Sequence, residues 1–200
     1  MLVDIWIDPA CPWCWLTSRW LIDVAPHRDL DVQWRSISLL RKNGLEEGSP
    51  YYDACLHTHR LLRVLEAVKD AHGNAAAGEL YTALGRRIHQ AQEGFVEAAT
   101  ALADIGLDPG LALAADDDAW DATIEGSMAE GLALVGDDVG TPIIGLSSPA
   151  GERVGFFGPV ISRRPPLEQA LQLWDGIALA AAVPGFWELK RTRTEGPAAG

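Results

Sequence analysis

The chain has 200 residues, 48% of them apolar, and a formal net charge of −12. Such a length supports one substantial core, or one core with an insertion, and such an apolar fraction excludes a disordered chain. The negative balance repels phosphate backbones and anionic lipid, so neither a nucleic-acid partner nor a membrane is expected, and no apolar run approaches the ~18 residues of a membrane span.

Met1 leads straight into Leu2-Val3-Asp4-Ile5-Trp6-Ile7-Asp8, without a basic n-region or a long apolar h-region. That is the pattern of a cytoplasmic chain. The segment alternates, with Val3, Ile5 and Ile7 on one side and Asp4, Trp6 and Asp8 on the other. It predicts a strand, ended by Pro9. From Pro12 the spacing of Trp13, Leu16, Trp20 and Val24 predicts a helix, stopped by Pro26. Leu30 to Leu40, with Val32, Trp34 and Ile37, reads as a second strand, so the first piece is strand–helix–strand with a parallel pair.

Residues 45–138 change character. Tyr51, Ala54, Leu61, Leu65 and Val68 make one helical stripe, and further helical stretches are expected around 78–92, 95–105, 110–115 and 120–135. Strands return at 143–146 and 154–157, joined by the turn-rich segment 147–151 into a hairpin. After Pro165-Pro166, Leu167, Ala170, Leu171, Trp174, Ile177 and Ala178 form an amphipathic stripe that Pro184-Gly185 ends. The fold class is therefore α/β, with the order β-α-β, a helical block, then β-β-α, which is the thioredoxin arrangement with an all-helical insertion. Residues 1–44 and 139–195 would form the thioredoxin-like domain, 45–138 a helical lid over its active edge, and 196–200 a loose tail.

Cys11-Pro12-Trp13-Cys14 lies between the first strand and the first helix. In a reducing compartment a close cysteine pair reads as redox chemistry or metal ligation rather than as a structural staple. Cys11 falls at the helix N-terminus, where free N–H groups favour a thiolate, and Pro12 suits the first helical position. Cys14 shares the helical face and lies within bridging range. Cys11 is thus the expected nucleophile and Cys14 the resolving thiol. The competing reading is a Cys3His zinc site made by Cys11, Cys14, Cys55 and His59; it lacks a second close cysteine pair, and Cys55 reads more simply as a small buried hydrophobe. Asp8 is a candidate for proton transfer, against the plainer role of closing an Asp-Pro turn. Trp13 and Trp15 flank the nucleophile, one suited to stack on a substrate and the other to the core. Thr141-Pro142 precedes the third strand, where a cis proline would let Thr141 offer its backbone to an extended substrate.

Trp6-Ile7-Asp8-Pro9, Cys11-Pro12-Trp13-Cys14-Trp15 and Thr17-Ser18-Arg19-Trp20 resemble the cytosolic DsbA-like branch of the thioredoxin superfamily, in particular the actinobacterial mycothiol-dependent reductases, also called nitroreductases. Tyr81-Thr82-Ala83, Arg87-Ile88-His89, Asp138 to Pro142, Phe156 to Val160 and Glu188 to Glu195 extend the resemblance from end to end. It implies no tightly bound cofactor, mycothiol as electron donor, and a small-molecule or protein disulfide as the other partner; a homodimer is an allowed assembly. It also adds site residues. Asn43 matches an active-site Asn, Tyr52 a pocket tyrosine with Tyr51 as the competing register, and His89 a family motif; Pro12, Trp13, Thr141 and Pro142 complete the substrate-binding set. Competing functions are an exported DsbA-like disulfide oxidase or isomerase, which the absent leader disfavours, a glutathione-transferase-like enzyme, which commonly keeps one nucleophile, and a zinc-stabilised binding module.

Overall fold

A computed structural model describes residues 1–147 and 151–198. Its strands are β1 (Leu2–Ile7), β2 (Asp31–Ser36), β3 (Ile143–Ser147) and β4 (Arg153–Phe157); its α-helices are α1 (Pro12–Val24), α2 (Leu39–Lys42), α3 (Tyr52–Gly85), α4 (Ala98–Asp104), α5 (Asp121–Val135) and α6 (Leu167–Ala181). The sheet runs β2-β1-β3-β4. β1 pairs parallel with β2 and antiparallel with β3, and β3 pairs antiparallel with β4. This is the thioredoxin arrangement, with helices between β2 and β3 and no strand there among the described residues. No helix is long and apolar enough to cross a membrane among the described residues.

The alternation in β1 marks two buried faces rather than one wet face. Val3, Ile5 and Ile7 enter the main core, together with Trp15 and Trp20 of α1 and Trp174 of α6. Trp6 enters a second cluster with Ile37 and Ile143, covered by Met128, Leu132 and Leu134 of α5. Asp4, on the Trp6 side, is buried between Arg35 (2.7 Å) and Arg153 (2.6 Å), which satisfies its charge. Helices therefore cover both sides of the sheet.

One strand and two helical stretches depart from expectation. β2 stops at Ser36, because Ser38 caps a helical turn by accepting the Arg41 N–H (3.4 Å), and Leu39 and Leu40 are helical. The stripe that ends at Val68 and the stretch expected from 78 belong to one long helix: between them Gly73 takes φ 85°, which a residue with a side chain rarely adopts, and α3 bends there and continues. The bend brings Asn74 onto β2, the edge strand. Its Oδ1 accepts the Trp34 N–H (2.8 Å), its Nδ2 donates to the Val32 carbonyl (2.7 Å), and Lys69 donates to the Trp34 carbonyl (2.8 Å). The exposed edge of the sheet is thus paired by side chains. The stretch expected around 110–115 is a 3-10 helix, Pro109–Asp116.

Three tryptophans lie against helical glycines. A Cβ on Gly78 would come within 2.2 Å of Trp34, on Gly85 within 2.2 Å of Trp15, and on Gly131 within 2.8 Å of Trp6. The main core runs without a break from β1 and α1 into α3 and α4. At the C-terminus the segment read as a loose tail is held: the Ala198 N–H donates to the Ser162 carbonyl (2.8 Å), and Arg163 pairs with Glu195 (2.5 Å). Residues 199 and 200, and the hairpin turn expected at 148–150, lie outside the described residues; Ser147 and Arg153 pair across that turn.

Candidate active site

Strand β1 delivers its chain to the N-terminus of α1 through a tight loop. Asp8 organises that loop: its carbonyl accepts the Cys11 N–H (3.0 Å), and its Oδ1 accepts the Ala10 N–H (2.8 Å). Cys11 is the N-cap residue, with extended backbone (φ −85°, ψ 110°), and Pro12 follows at the first helical position. The Cys11 Sγ accepts the Cys14 N–H (3.3 Å), one of the free donors at the helix start. Its thiol donates to the Thr141 carbonyl at 3.8 Å, and the Cys14 thiol to the Trp6 carbonyl at 3.9 Å. Both are free thiols, so the structure is that of the dithiol state.

The two sulfurs are unequal. Cys11 is 6% exposed and Cys14 fully buried. The adjacent Cys14 side chain, followed in effect by the Thr141 side chain and the Cys14 N–H, holds Cys11 below the ordinary thiol range against the cost of burial. Burial, then the neighbouring Cys11 sulfur, pushes Cys14 well above it. The Thr141–Pro142 peptide is cis. The Thr141 hydroxyl is buried without a well-formed hydrogen bond, yet it favours the charged form of both sulfurs. Sequence spacing of 130 residues separates Thr141 from Cys11, and antiparallel pairing of β1 with β3 brings them together.

Asp8 is completely buried. Its Oδ2 accepts the Leu39 N–H (2.7 Å), so the carboxylate ties the nucleophile loop to α2. Burial raises its pKa to about 6, against the lowering effect of hydrogen bonds from Leu39, Ala10 and Thr58. Of the two sequence readings of Asp8, closure of the turn is what these hydrogen bonds describe.

Beyond α2 a cavity of about 420 Å³ is lined by Arg41, Tyr52, Leu56, His59 and Arg63 among others. Tyr52, half-buried, is the tyrosine that reaches it; Tyr51 is 81% exposed, with φ 69°. Asn43 closes α2 at the surface, next to the cavity-lining Gly44, and is exposed. Sequence reasoning missed the polar chain behind this cavity. Ser38 Oγ meets His59 Nδ1 (2.9 Å), His59 Nε2 meets Asp121 (3.0 Å), and Asp121 pairs with Arg63 (2.6 Å) and Arg41 (3.0 Å). With both ring nitrogens engaged, His59 does not face the cysteines, and among the described residues no group of His, Cys, Asp and Glu is arranged to hold a metal ion. The Cys3His alternative is not assembled. Cys55 is buried, and burial pushes its thiol up to about 11, which suits an inert hydrophobe.

His89 is turned away from the sulfurs. Buried, it engages the Pro9 carbonyl through Nε2 (2.9 Å) and stacks on Trp15 with ring centroids 5.8 Å apart. Burial lowers its pKa, which favours a neutral ring. The turn Arg86–Gln90, which continues α3, brings it against the loop that carries Pro9. Trp15 is the core tryptophan of the motif, carrying Arg19 over its ring at 4.4 Å. Tyr81, also buried there, has a hydroxyl without a partner, and burial, then the Cys14 charge, pushes its pKa well up. Trp13 is only half-buried, and Arg193 from the C-terminal segment sits 5.3 Å above its ring. A cavity of about 650 Å³ between α1, β2, α3 and α4 has Trp34 and Gly78 in its wall but neither Cys11 nor Cys14.

The model of the Rv2466c-like family, described as mycothiol-dependent nitroreductase Rv2466c, matches residues 10–191. The uncharacterized Mycobacterium tuberculosis protein Rv2286c is 28% identical over 201 residues, covering 96% of this chain and 82% of that protein. Among solved structures, the cytosolic disulfide reductase DsbM from Pseudomonas aeruginosa superposes with a TM-score of 0.63 at 17% identity, over 90% of this chain and all of that one (100%). The oxidoreductase DsbA from Xylella fastidiosa gives 0.55 at 16% identity, over 89% and 84% of the two chains. At such identities these two likenesses speak for the fold alone.

Proposed function

Because the chain belongs to the Rv2466c-like family of mycothiol-dependent nitroreductases, we propose that it is a cytoplasmic reductase in which Cys11 and Cys14 carry electrons from mycothiol to disulfides, thiol adducts or electrophilic nitro compounds. Membership makes the chain a thiol-dependent oxidoreductase of DsbA-like fold; the residue roles and the substrate class are our proposal. The observation that carries it is the inequality of the pair, a thiol with lowered pKa at the helix N-terminus backed by a buried one with raised pKa.

With a disulfide, the Cys11 thiolate forms a bond to one substrate sulfur while the substrate S–S bond breaks and the first thiolate leaves. Cys14 then gives up its proton and attacks the Cys11 sulfur, which releases the second thiol and leaves a Cys11–Cys14 disulfide. Asp8 is the proposed proton acceptor for that step. Two mycothiols return the two electrons and depart as their own disulfide. Pro12, Trp13, Thr141 and Pro142 would hold the substrate beside Cys11, and Asn43 and Tyr52 would serve from the cavity side; His89 supports the loop.

Cysteine variants test the assignment. Cys11→Ser should abolish mycothiol-dependent turnover, and Cys14→Ser should accumulate a mixed disulfide on Cys11, visible by intact mass. Brief alkylation of the reduced protein at mildly acidic pH should label Cys11 first. Faster labelling of Cys14 would reverse the roles and sink the proposal.

A further inference from the structure

The C-terminal segment crosses the redox motif, and its charge contrasts with that of the molecule. It is fastened at one end by the Phe186 ring against Phe156 (6.0 Å) and at the other by the Glu195 ion pair and the Ala198 hydrogen bond. Between these anchors the chain stands proud of the surface, with Trp187 86% and Leu189 87% exposed. Among the described residues, Arg193 of this stretch lies over the Trp13 ring at 5.3 Å. Nine of the 13 arginines are seen, again among the described residues, in ion pairs with carboxylates. Arg193 is in none of these pairs, and neither are its neighbours Lys190 and Arg191.

We propose that Arg193, with Lys190 and Arg191 of its segment, forms an anion subsite beside the Trp13 ring, so that the enzyme prefers flat aromatic substrates bearing a carboxylate. This deepens the proposed reductase function and rests on it. Three physical points support the assignment. A net charge of −12 repels an anionic substrate at a distance, so an anion reaches Cys11 readily only past a local concentration of positive charge. An indole face beside the nucleophile is a stacking platform for a planar ring. An exposed cation–π contact is weak, whereas a guanidinium meets a carboxylate with two parallel hydrogen bonds; an aromatic acid can therefore take both the ring and the charge.

Stoichiometric thiol–disulfide exchange isolates this idea from turnover. Reduced enzyme would be mixed, without mycothiol, with a bis(nitrobenzoate) disulfide, dianionic at neutral pH, and separately with an uncharged dipyridyl disulfide. In both, the Cys11–sulfur bond forms, the aryl S–S bond breaks and a coloured arylthiol is released, so each rate is read directly. The ratio of the two rates is the measurement. Arg193→Gln should lower that ratio about fivefold, Arg193→Lys should restore most of it, and added salt should bring the wild-type ratio toward that of the glutamine variant. An unchanged ratio in Arg193→Gln, with both disulfides still reacting at Cys11, overturns the subsite and leaves the reductase function intact. No reaction of wild-type Cys11 with either reagent removes the reductase function, and the subsite with it.

Discussion

Asp8→Asn should abolish a pH dependence of stability that Asp8 imposes. The Asp8 carboxyl titrates near pH 6 in the folded protein, against 3.8 as the ordinary value, because it is buried. The unfolded chain therefore loses this proton first as pH rises. Between about pH 4 and 6 the folded state holds one proton more than the unfolded state, so stability falls as pH rises through that window. A shift of about two units corresponds to ~3 kcal/mol, present as extra stability below pH 4 and lost above pH 6. Asparagine removes the titration. It also places an NH2 group against either the Leu39 or the Ala10 N–H, which costs roughly 1–3 kcal/mol for the lost acceptor. The two effects nearly cancel at pH 7, and the variant should be clearly less stable than wild type at pH 4.5. Half-buried His57 and buried His59 and His89, whose pKa values are lowered, pull the wild-type slope the other way as pH falls below the ordinary histidine value. They do so equally in both proteins, so the difference between the two curves isolates Asp8. Urea denaturation of the reduced proteins from pH 4.5 to 7.5 would measure it. Parallel curves for wild type and variant would refute the buried-acid reasoning. If Asp8 also receives the Cys14 proton, the acid limb of the kcat profile near pH 6 should disappear in the variant.

Two further substitutions probe the spacer and the sheet edge. Trp13→His should raise the reduction potential of the pair by about 30 mV, since imidazole stabilises the Cys11 thiolate by charge or hydrogen bond and an indole carries no charge; ~1.4 kcal/mol is 30 mV for two electrons. Equilibration against a thiol buffer reads it, and an unchanged or lower potential would place the poise at Asp8 or Thr141 instead. Asn74→Ala strips partners from the Trp34 N–H and the Val32 carbonyl on the edge strand. A loss of roughly 1–3 kcal/mol is expected, with an unchanged denaturant slope; a loss below about 0.5 kcal/mol would mean that water replaces the amide without cost.

Much of this molecule was legible along the chain because its signals are local. Alternation in 2–7, helical spacing from Pro12 and the proline after Thr141 each report on neighbours in sequence, and all three elements are present. Cysteine spacing placed Cys11 and Cys14 on one helical turn for the same reason. What escaped depends on residues far apart in the chain. His89 lies in a motif near the site but is turned against Pro9, since its direction is set by how α3 ends on the loop rather than by spacing. Asp121, 62 residues from His59, completes a charge chain that no short window contains.

The tryptophans make the same distinction in physical form. Spacing alone offers Trp13 and Trp15 as one ring for a substrate and one for the core without saying which, and packing is what distinguishes them. Trp6, Trp15 and Trp34 each lie where a helix presents glycine, at positions where any Cβ would collide with the indole. An isolated glycine in a helix costs stability, so its repeated placement under an aromatic ring marks a ring that must be seated. Trp13 has no such seat. It is covered instead by Arg193, a weak and displaceable contact on an exposed segment. Within Trp13-Cys14-Trp15, then, Trp15 is seated in the core against Gly85, and the half-buried Trp13 is the ring that the proposed subsite would use. Trp20 and Trp174 are buried against each other with no helical glycine beneath them, so a glycine seat marks a core ring without being required for one.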